Sequence, residues 1–229
     1  NALGRKVDIR DVLSTPSVAG LTNTMESTNQ LPALKHRVTG SQLLASSHPV
    51  SWNQSQLLTV HLIDGATAAY NIPTAMWLHG PVAVGALRGS LAAVVERHAV
   101  LRTTFEVDAN GEFAQRVRAD LVGDALLREV ASAGSDAAEA LVAADASTGF
   151  DLFAGGVLRC VLARADDNRH LLLLNVHHVA FDGVSTDVLL GELNALYRPL
   201  NSDGPIAEAA LPDLPVQYVD YSLWQRNAL

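Results

Sequence analysis

Between Arg169 and His177 the chain runs Leu171-Leu172-Leu173-Leu174-Asn175-Val176, with no alternation of apolar and polar positions. A strand covered on both faces has this pattern, because neither side of its pleat meets water. Elsewhere the period switches between helix and strand. Gln54 to Ile63 predicts a helix and Tyr70 to Leu78 a strand. Across residues 82–99, Val84, Leu87, Leu91, Val94 and Val95 recur at helical spacing after a Gly-Pro start. Leu101 to Val107 and Phe113 to Val117 flank Asn110-Gly111, a hairpin turn signal. Leu126 to Val130 reads as a strand and Ser135 to Ala146 as an alanine-rich helix. Val157 to Ala165 and Arg169 to His177 form a second hairpin around Asp166-Asp167-Asn168. Val184 to Tyr197 is an amphipathic helix, residues 199–215 a Pro-rich loop, and Val216 to Leu229 a final helix. Helices alternating with hairpin-joined strands predict a mixed α/β sandwich with a helical layer on the sheet. No internal repeat is present.

The first 48 residues read differently. Asp8 to Leu13 is a short helical piece stopped at Ser14-Thr15-Pro16, and Ser17 can cap a second one, Val18 to Met25. Residues 26–48 are rich in Ser, Thr, Asn, Gln and Gly, a composition that predicts an extended, poorly packed linker. The main domain is expected to begin near Pro49.

Composition narrows the function. The chain has 229 residues, 48% hydrophobic and 17% charged, enough to bury a sizeable core and unlike a disordered segment. Its 16 Lys and Arg against 24 Asp and Glu leave a formal net charge of −8, so no nucleic-acid partner is expected. A single cysteine, Cys160, excludes an internal disulfide and suits a reducing, cytoplasmic compartment. No apolar run approaches the roughly 18 residues of a membrane span, and the charged N-terminal stretch lacks a signal-peptide core.

Candidate chemistry gathers where the buried strand ends, at His177-His178-Val179-Ala180-Phe181-Asp182-Gly183-Val184-Ser185. A strand end holds side chains rigidly, and the helix start that follows offers unpaired N–H groups. Neighbouring strand residues point to opposite faces, so the two histidines cannot share one role. A metal site needs three or four converging ligands, and no further His or Cys stands at a suitable spacing, so none is expected.

The segment His177-His178-Val179-Ala180-Phe181-Asp182-Gly183 resembles the HHxxxDG signature of condensation domains of nonribosomal peptide synthetases, shared with the wider chloramphenicol-acetyltransferase-like superfamily. Arg97-His98-Ala99-Val100-Leu101-Arg102-Thr103-Thr104-Phe105 is similar to the family's RHxxLRTxF motif, and Tyr218-Val219-Asp220-Tyr221-Ser222-Leu223-Trp224 to its YxDFAxW motif. Ser51-Trp52-Asn53-Gln54-Ser55-Gln56 resembles SxAQxR but has Asn53 for Ala and Gln56 for Arg. Tyr70-Asn71-Ile72-Pro73 and Phe150-Asp151-Leu152 are similar to the same domains. Residues 1–25 resemble the last helices of a peptidyl carrier domain, without the serine that bears phosphopantetheine.

The resemblance implies a chloramphenicol-acetyltransferase-like mixed sheet with helices packed on it, one lobe of a two-lobe domain. Residues 49–229 would be its N-terminal lobe. The whole domain would join a donor aminoacyl or peptidyl thioester to the amine of an acceptor aminoacyl thioester. Its partners would be an upstream donor carrier, a downstream acceptor carrier and its own C-terminal lobe. No cofactor is bound directly; phosphopantetheine arms arrive on the carriers. The short passage from residues 1–25 into the first motif leaves no room for an epimerisation domain and implies an L-configured donor. One lobe alone is expected to be inactive. A non-catalytic docking module of the same fold and an acyl-CoA-dependent acyltransferase are the alternatives.

The resemblance also assigns roles. His178 would face the tunnel and either accept the amine proton or position the reactants; an imidazole titrates near neutral pH and suits both. His177 would pack structurally. Asp182 would be architectural and pair with Arg102. The Gly183 N–H could face the reacting carbonyl. Ser185 reads as a helix cap, Arg97 and His98 as cations closing a helix, and Tyr218, Tyr221 and Trp224 as core.

Overall fold

Leu171 to Leu174 lie in β7 (Arg169–His177), an interior strand of a four-stranded sheet, and every residue from His170 to His177 is buried. The structure is a computed structural model describing residues 32–35, 38, 40–123, 126–201 and 211–228. On one edge β7 pairs antiparallel with β2 (Asn71–His79), in the register Asn71 to His177 through His79 to Arg169. On the other it pairs antiparallel with β6 (Leu158–Asp166), with Leu162 opposite Leu172. The strand β5 (Leu127–Ala131) closes the sheet parallel to β6. The connection between them runs through α4 (Ser135–Ala146), the helical crossover that a parallel pair requires.

Both faces of this sheet are covered, which is why β7 shows no alternation. Leu171 and Leu173 meet Ala138 and Val142 of α4. Leu172, Leu174 and Val176 face the other way, onto α3 (Val84–Arg97) and α5 (Gly183–Asn201), through Leu87, Leu91, Val94, Leu189 and Leu193. Side-chain period two therefore sends odd positions to α4 and even positions to the helix pair.

A three-stranded antiparallel sheet stands beside it in the order β1 (His48–Pro49), β4 (Phe113–Val117), β3 (Thr103–Val107). The β3–β4 hairpin turns at Asp108 to Gly111, where Gly111 has φ +82° and Asp108 accepts from the Asn110 and Glu112 N–H groups. A second core of Val50, Leu58, Phe105, Phe150, Leu152, Val157 and Val179 joins this hairpin to α2 (Trp52–Asp64) and the end of β7. The helix α6 (Tyr218–Ala228) packs against β1 and α2.

The mixed α/β class, both hairpins and the principal helices lie where the hydrophobic pattern places them. The linker expectation fails for its C-terminal part. α1 (Gly40–Ala45) buries Leu43 with Val38, Ala99, Val117 and Val219. His48 is buried in β1, its Nε2 3.2 Å from the Leu43 carbonyl, so packed structure begins before Pro49. The small residues here do not signal disorder, because Val38 and Leu43 supply the apolar contact. The helical pieces expected within residues 1–25 lie outside the described residues. Among the described residues, no helix is long and apolar enough to cross a membrane.

Gly149 is where the fold needs the absence of a side chain: a Cβ there would overlap the Ala66 carbonyl. Gly149→Ala is expected to cost about 1–3 kcal/mol by overpacking. Gly191→Ala, at an open position within α5, should be neutral or add up to about 1 kcal/mol. Denaturant unfolding of both variants checks the contrast.

Candidate active site

The strand places its last residue, and the turn after it does the rest. His177 is 2% exposed. Its Nδ1 accepts from the Val179 N–H at 3.1 Å, which leaves any ring proton on Nε2. Phe150, Tyr70 and His61 surround the ring with centroids 5.9, 6.1 and 6.3 Å away. Burial, with smaller contributions from His61 and His178, pushes its pKa down to about 4. His177 is therefore a neutral packing residue. Arg159 supports this wall. Its guanidinium stacks 3.9 Å from the Phe150 centroid, pairs with Asp145 at 3.1 Å and donates to the Asp145, Thr148 and Gly149 carbonyls at the end of α4.

His178 is exposed. Its backbone N–H donates to the Tyr70 carbonyl at 2.8 Å, which extends the β2–β7 pairing by one residue. Its imidazole makes no hydrogen bond among the described residues. It lines an open groove of about 470 Å³ whose wall includes Gln54, His98, Asp182, Gln217, Tyr218 and Tyr221. An imidazole without a hydrogen bond, in an open groove, can take a proton, give one, or orient a reactant.

The expected Asp182–Arg102 ion pair is absent. Asp182 caps α5: its Oδ1 accepts from the Ser185 N–H at 2.9 Å and the Ser185 hydroxyl at 2.6 Å. Those bonds hold its carboxyl below the usual carboxylate range, with a smaller contribution from His178. So Asp182 is the cap, and Ser185 is the residue that satisfies it. Arg102 ends a 3₁₀ turn (Ala99–Arg102) and points inward. It reaches the Glu96 carbonyl at 3.2 Å and the Arg118 carbonyl at 3.4 Å, and its Nε is buried without a partner. Burial lowers its pKa, against the pull of Glu96. The two side chains are committed to the ends of different elements, which is the physical reason they do not meet. Gly183 heads α5, exposed, with open space where a Cβ would stand.

The other motifs interlock around the groove. Ser51 and Gln54 form a capping box on α2: the Ser51 hydroxyl accepts from the Gln54 N–H at 3.1 Å and the Gln54 Oε1 from the Ser51 N–H at 2.9 Å. Both are fully buried, whereas Asn53 and Gln56, the two departures from the motif, are exposed. The Tyr218 hydroxyl lies 3.0 Å from Ser51 Oγ, and Gln225 Oε1 accepts from the Trp52 N–H at 2.9 Å. Gln217 accepts from the Ala99 N–H and donates to the Arg97 carbonyl. Tyr218, Tyr221 and Trp224 are half-buried and stack along α6 with centroids 5.4 and 5.9 Å apart, rather than forming its core. The buried face of α6 carries Val219, Asp220, Ser222 and Gln225 instead. Arg97 and His98 do more than close α3: both bind the Glu192 carboxylate, at 3.1 and 2.6 Å. Sequence reading missed His98 and Gln217 as groove residues, and Glu192 as the carboxylate that holds His98. Glu192 lies 94 positions from His98, and no local pattern links them.

A family model described as the condensation domain matches residues 45–229. The chain is 37% identical over 185 residues to the phosphinothricin tripeptide synthetase PhsC of Streptomyces viridochromogenes, covering 79% of this chain and 17% of that protein. It is 30% identical over 222 residues to gramicidin S synthase 2 of Brevibacillus brevis, covering 97% and 5%. Among solved structures it resembles the X-domain complexed with OxyB from teicoplanin biosynthesis, with TM-score 0.76, 25% identity and coverage of 88% of this chain and 41% of that one. The first condensation domain of the calcium-dependent antibiotic synthetase superposes with TM-score 0.64 at 22% identity, over 75% and 44% of the two chains. The chain therefore spans a small part of these synthetases and under half of each of these solved chains.

Two outcomes follow from the site. Asp182→Ala removes a helix cap rather than half of a buried ion pair, so it should cost about 0.5–2 kcal/mol in an unfolding titration. The depressed His177 makes stability pH-dependent. The unfolded chain takes up this proton near pH 6.5, while the folded chain resists it down to about 4. Stability is full above that window, falls as pH drops through it, and levels off below it, by at most on the order of 3 kcal/mol. His177→Asn, which keeps an acceptor for Val179, should flatten the slope between pH 6.5 and 4.5.

Proposed function

The chain belongs to the condensation-domain family of nonribosomal peptide synthetases, and from that premise we propose that it is the N-terminal lobe of a domain that forms an amide bond. A donor aminoacyl or peptidyl group, carried as a thioester on an upstream carrier, passes to the amine of an aminoacyl thioester on a downstream carrier. The observation that carries this reading is His178, without a hydrogen bond to its imidazole among the described residues and exposed at the end of a rigid strand, in the wall of an open groove. Thioester aminolysis needs a group there that accepts or steers the amine proton, and it needs no metal or nucleotide because the thioester supplies the driving force. Buried His177 fixes the turn that presents it.

A recruitment role is the second reading. The likeness to an X-domain solved in complex with OxyB supports it. The free imidazole of His178 favours catalysis. The short passage from residues 1–25 to the first motif supports an L-configured donor.

In the intact synthetase, His178→Ala should lower amide formation about 10²–10⁴-fold, the usual worth of a general acid–base group. The melting temperature should hold, since the imidazole has no internal hydrogen bond to lose. Condensation at the wild-type rate would favour recruitment. The present chain alone, offered both loaded carriers, should form no product, because one wall cannot hold two thioesters in attack geometry. Matched L- and D-donors on the upstream carrier should give product preferentially from the L form.

A further inference from the structure

The groove holds a second imidazole. His98 lines it with His178, and also lines an adjoining recess of about 280 Å³ whose walls include Val100, Phe181 and Val188. It thus stands where the groove meets the recess. Unlike His178, it is held: Nε2 lies 2.6 Å from Glu192 Oε2, with side chains 21% and 14% exposed. Glu192 is itself fixed by Arg97 at 3.1 Å, and Arg97 also donates to the Pro212 carbonyl. A carboxylate that receives the Nε2 proton selects one tautomer of the neutral ring and leaves Nδ1 as a lone-pair acceptor, the arrangement that makes an imidazole an oriented base. Nδ1 has no hydrogen-bond partner among the described residues. The charged and titratable groups around it are Glu192, which it binds, Arg97, which binds the same carboxylate, and His178, Asp182, Tyr218 and Tyr221, which line the same groove.

We propose that the His98–Glu192 dyad is the proton acceptor for the acceptor substrate: His98 Nδ1 binds the α-ammonium group and removes one of its protons before attack. The inference rests on the condensation reading above. An α-amino group is largely protonated at neutral pH, and its lone pair is unavailable until a proton leaves. The N–H bond breaks toward His98, and the imidazolium is stabilised by Glu192. The freed lone pair attacks the donor carbonyl carbon, beside His178. The C–S bond then breaks with its electron pair on the phosphopantetheine sulfur. His178 accepts a second proton from the new C–N nitrogen and passes it to that sulfur, giving amide and thiol, and His98 releases the first proton to solvent.

The test uses the intact synthetase with both carriers loaded, and measures condensation from pH 6.5 to 9 for wild type, His98→Asn, Glu192→Gln and His178→Ala. His98→Asn should lose about 5–10-fold at pH 7, the factor by which protonation depletes the neutral amine there, and recover most of it by pH 9, where the amine is already neutral. Glu192→Gln, which keeps the shape and removes the charge, should move the same way by a smaller factor. A wild-type rate profile in His98→Asn overturns the inference, and so does an equal loss at every pH accompanied by a lower melting temperature. His178→Ala separates the two claims. If it fails while His98→Asn behaves as wild type, only the dyad assignment falls. If His178→Ala is fully active, the condensation reading falls.

Discussion

Everything at the site depends on one strand having no solvent face. β7 is paired on both edges and covered above and below, by α4 on one side and by α3 and α5 on the other. Shifting its register by one residue would turn every leucine to the wrong helix layer, so the register is strongly specified. That specification reaches the end of the strand. His177 inherits the α4-facing direction and is sealed by Phe150, Tyr70 and the Val179 N–H. His178 inherits the opposite direction, beyond the point where the helices cover the sheet. Two identical side chains in succession thus become a neutral packing group and an accessible one, from strand geometry alone.

The groove wall is assembled by polar groups that pair across long sequence distances. Ser51 with Tyr218, Trp52 with Gln225, Gln217 with Ala99 and Arg97, and Asp220 with Val38 tie α6 and the residue before it to the start of α2, to the end of α3 with the turn after it, and to Val38. Each bond satisfies a backbone or side-chain group that burial would otherwise leave at a cost of about 1–3 kcal/mol. The polar residues of α6 are consequently its interior, and its aromatic rings are left half-exposed, with Tyr218 and Tyr221 lining the groove. Arg226 lies 3.6 Å over the Trp52 ring and donates to the Val50 carbonyl, closing the same seam.

Local pattern carried much of the fold. The unalternating leucines, the Asn110-Gly111 turn and the spacing of Val84 to Val95 each declare an element through forces acting within a few residues. His178 was legible too, because strand alternation and a family signature agree on it. Other features were illegible for physical reasons. α1 is only six residues long, too short to show a helical period, and its burial of Leu43 depends on Val219, far along the chain. The Asp182–Arg102 pair was inferred from resemblance, but opposite charges in a sequence say nothing about competing partners. Ser185 is three residues from Asp182, and a carboxylate at a helix start is satisfied locally first. His98 looked like a cation complementing a helix end, and only the folded chain brings Glu192 to it.

The central claim is that alternation at the end of β7 exposes His178 and buries His177. Acylation of histidines by diethyl pyrocarbonate under native conditions, mapped by peptide mass, tests it directly. The account predicts rapid modification at His178 and none at His177 until the chain is unfolded, with loss of condensation in the intact synthetase following His178 modification. Equal labelling of the two rings, or protection of His178 and labelling of His177, would contradict it.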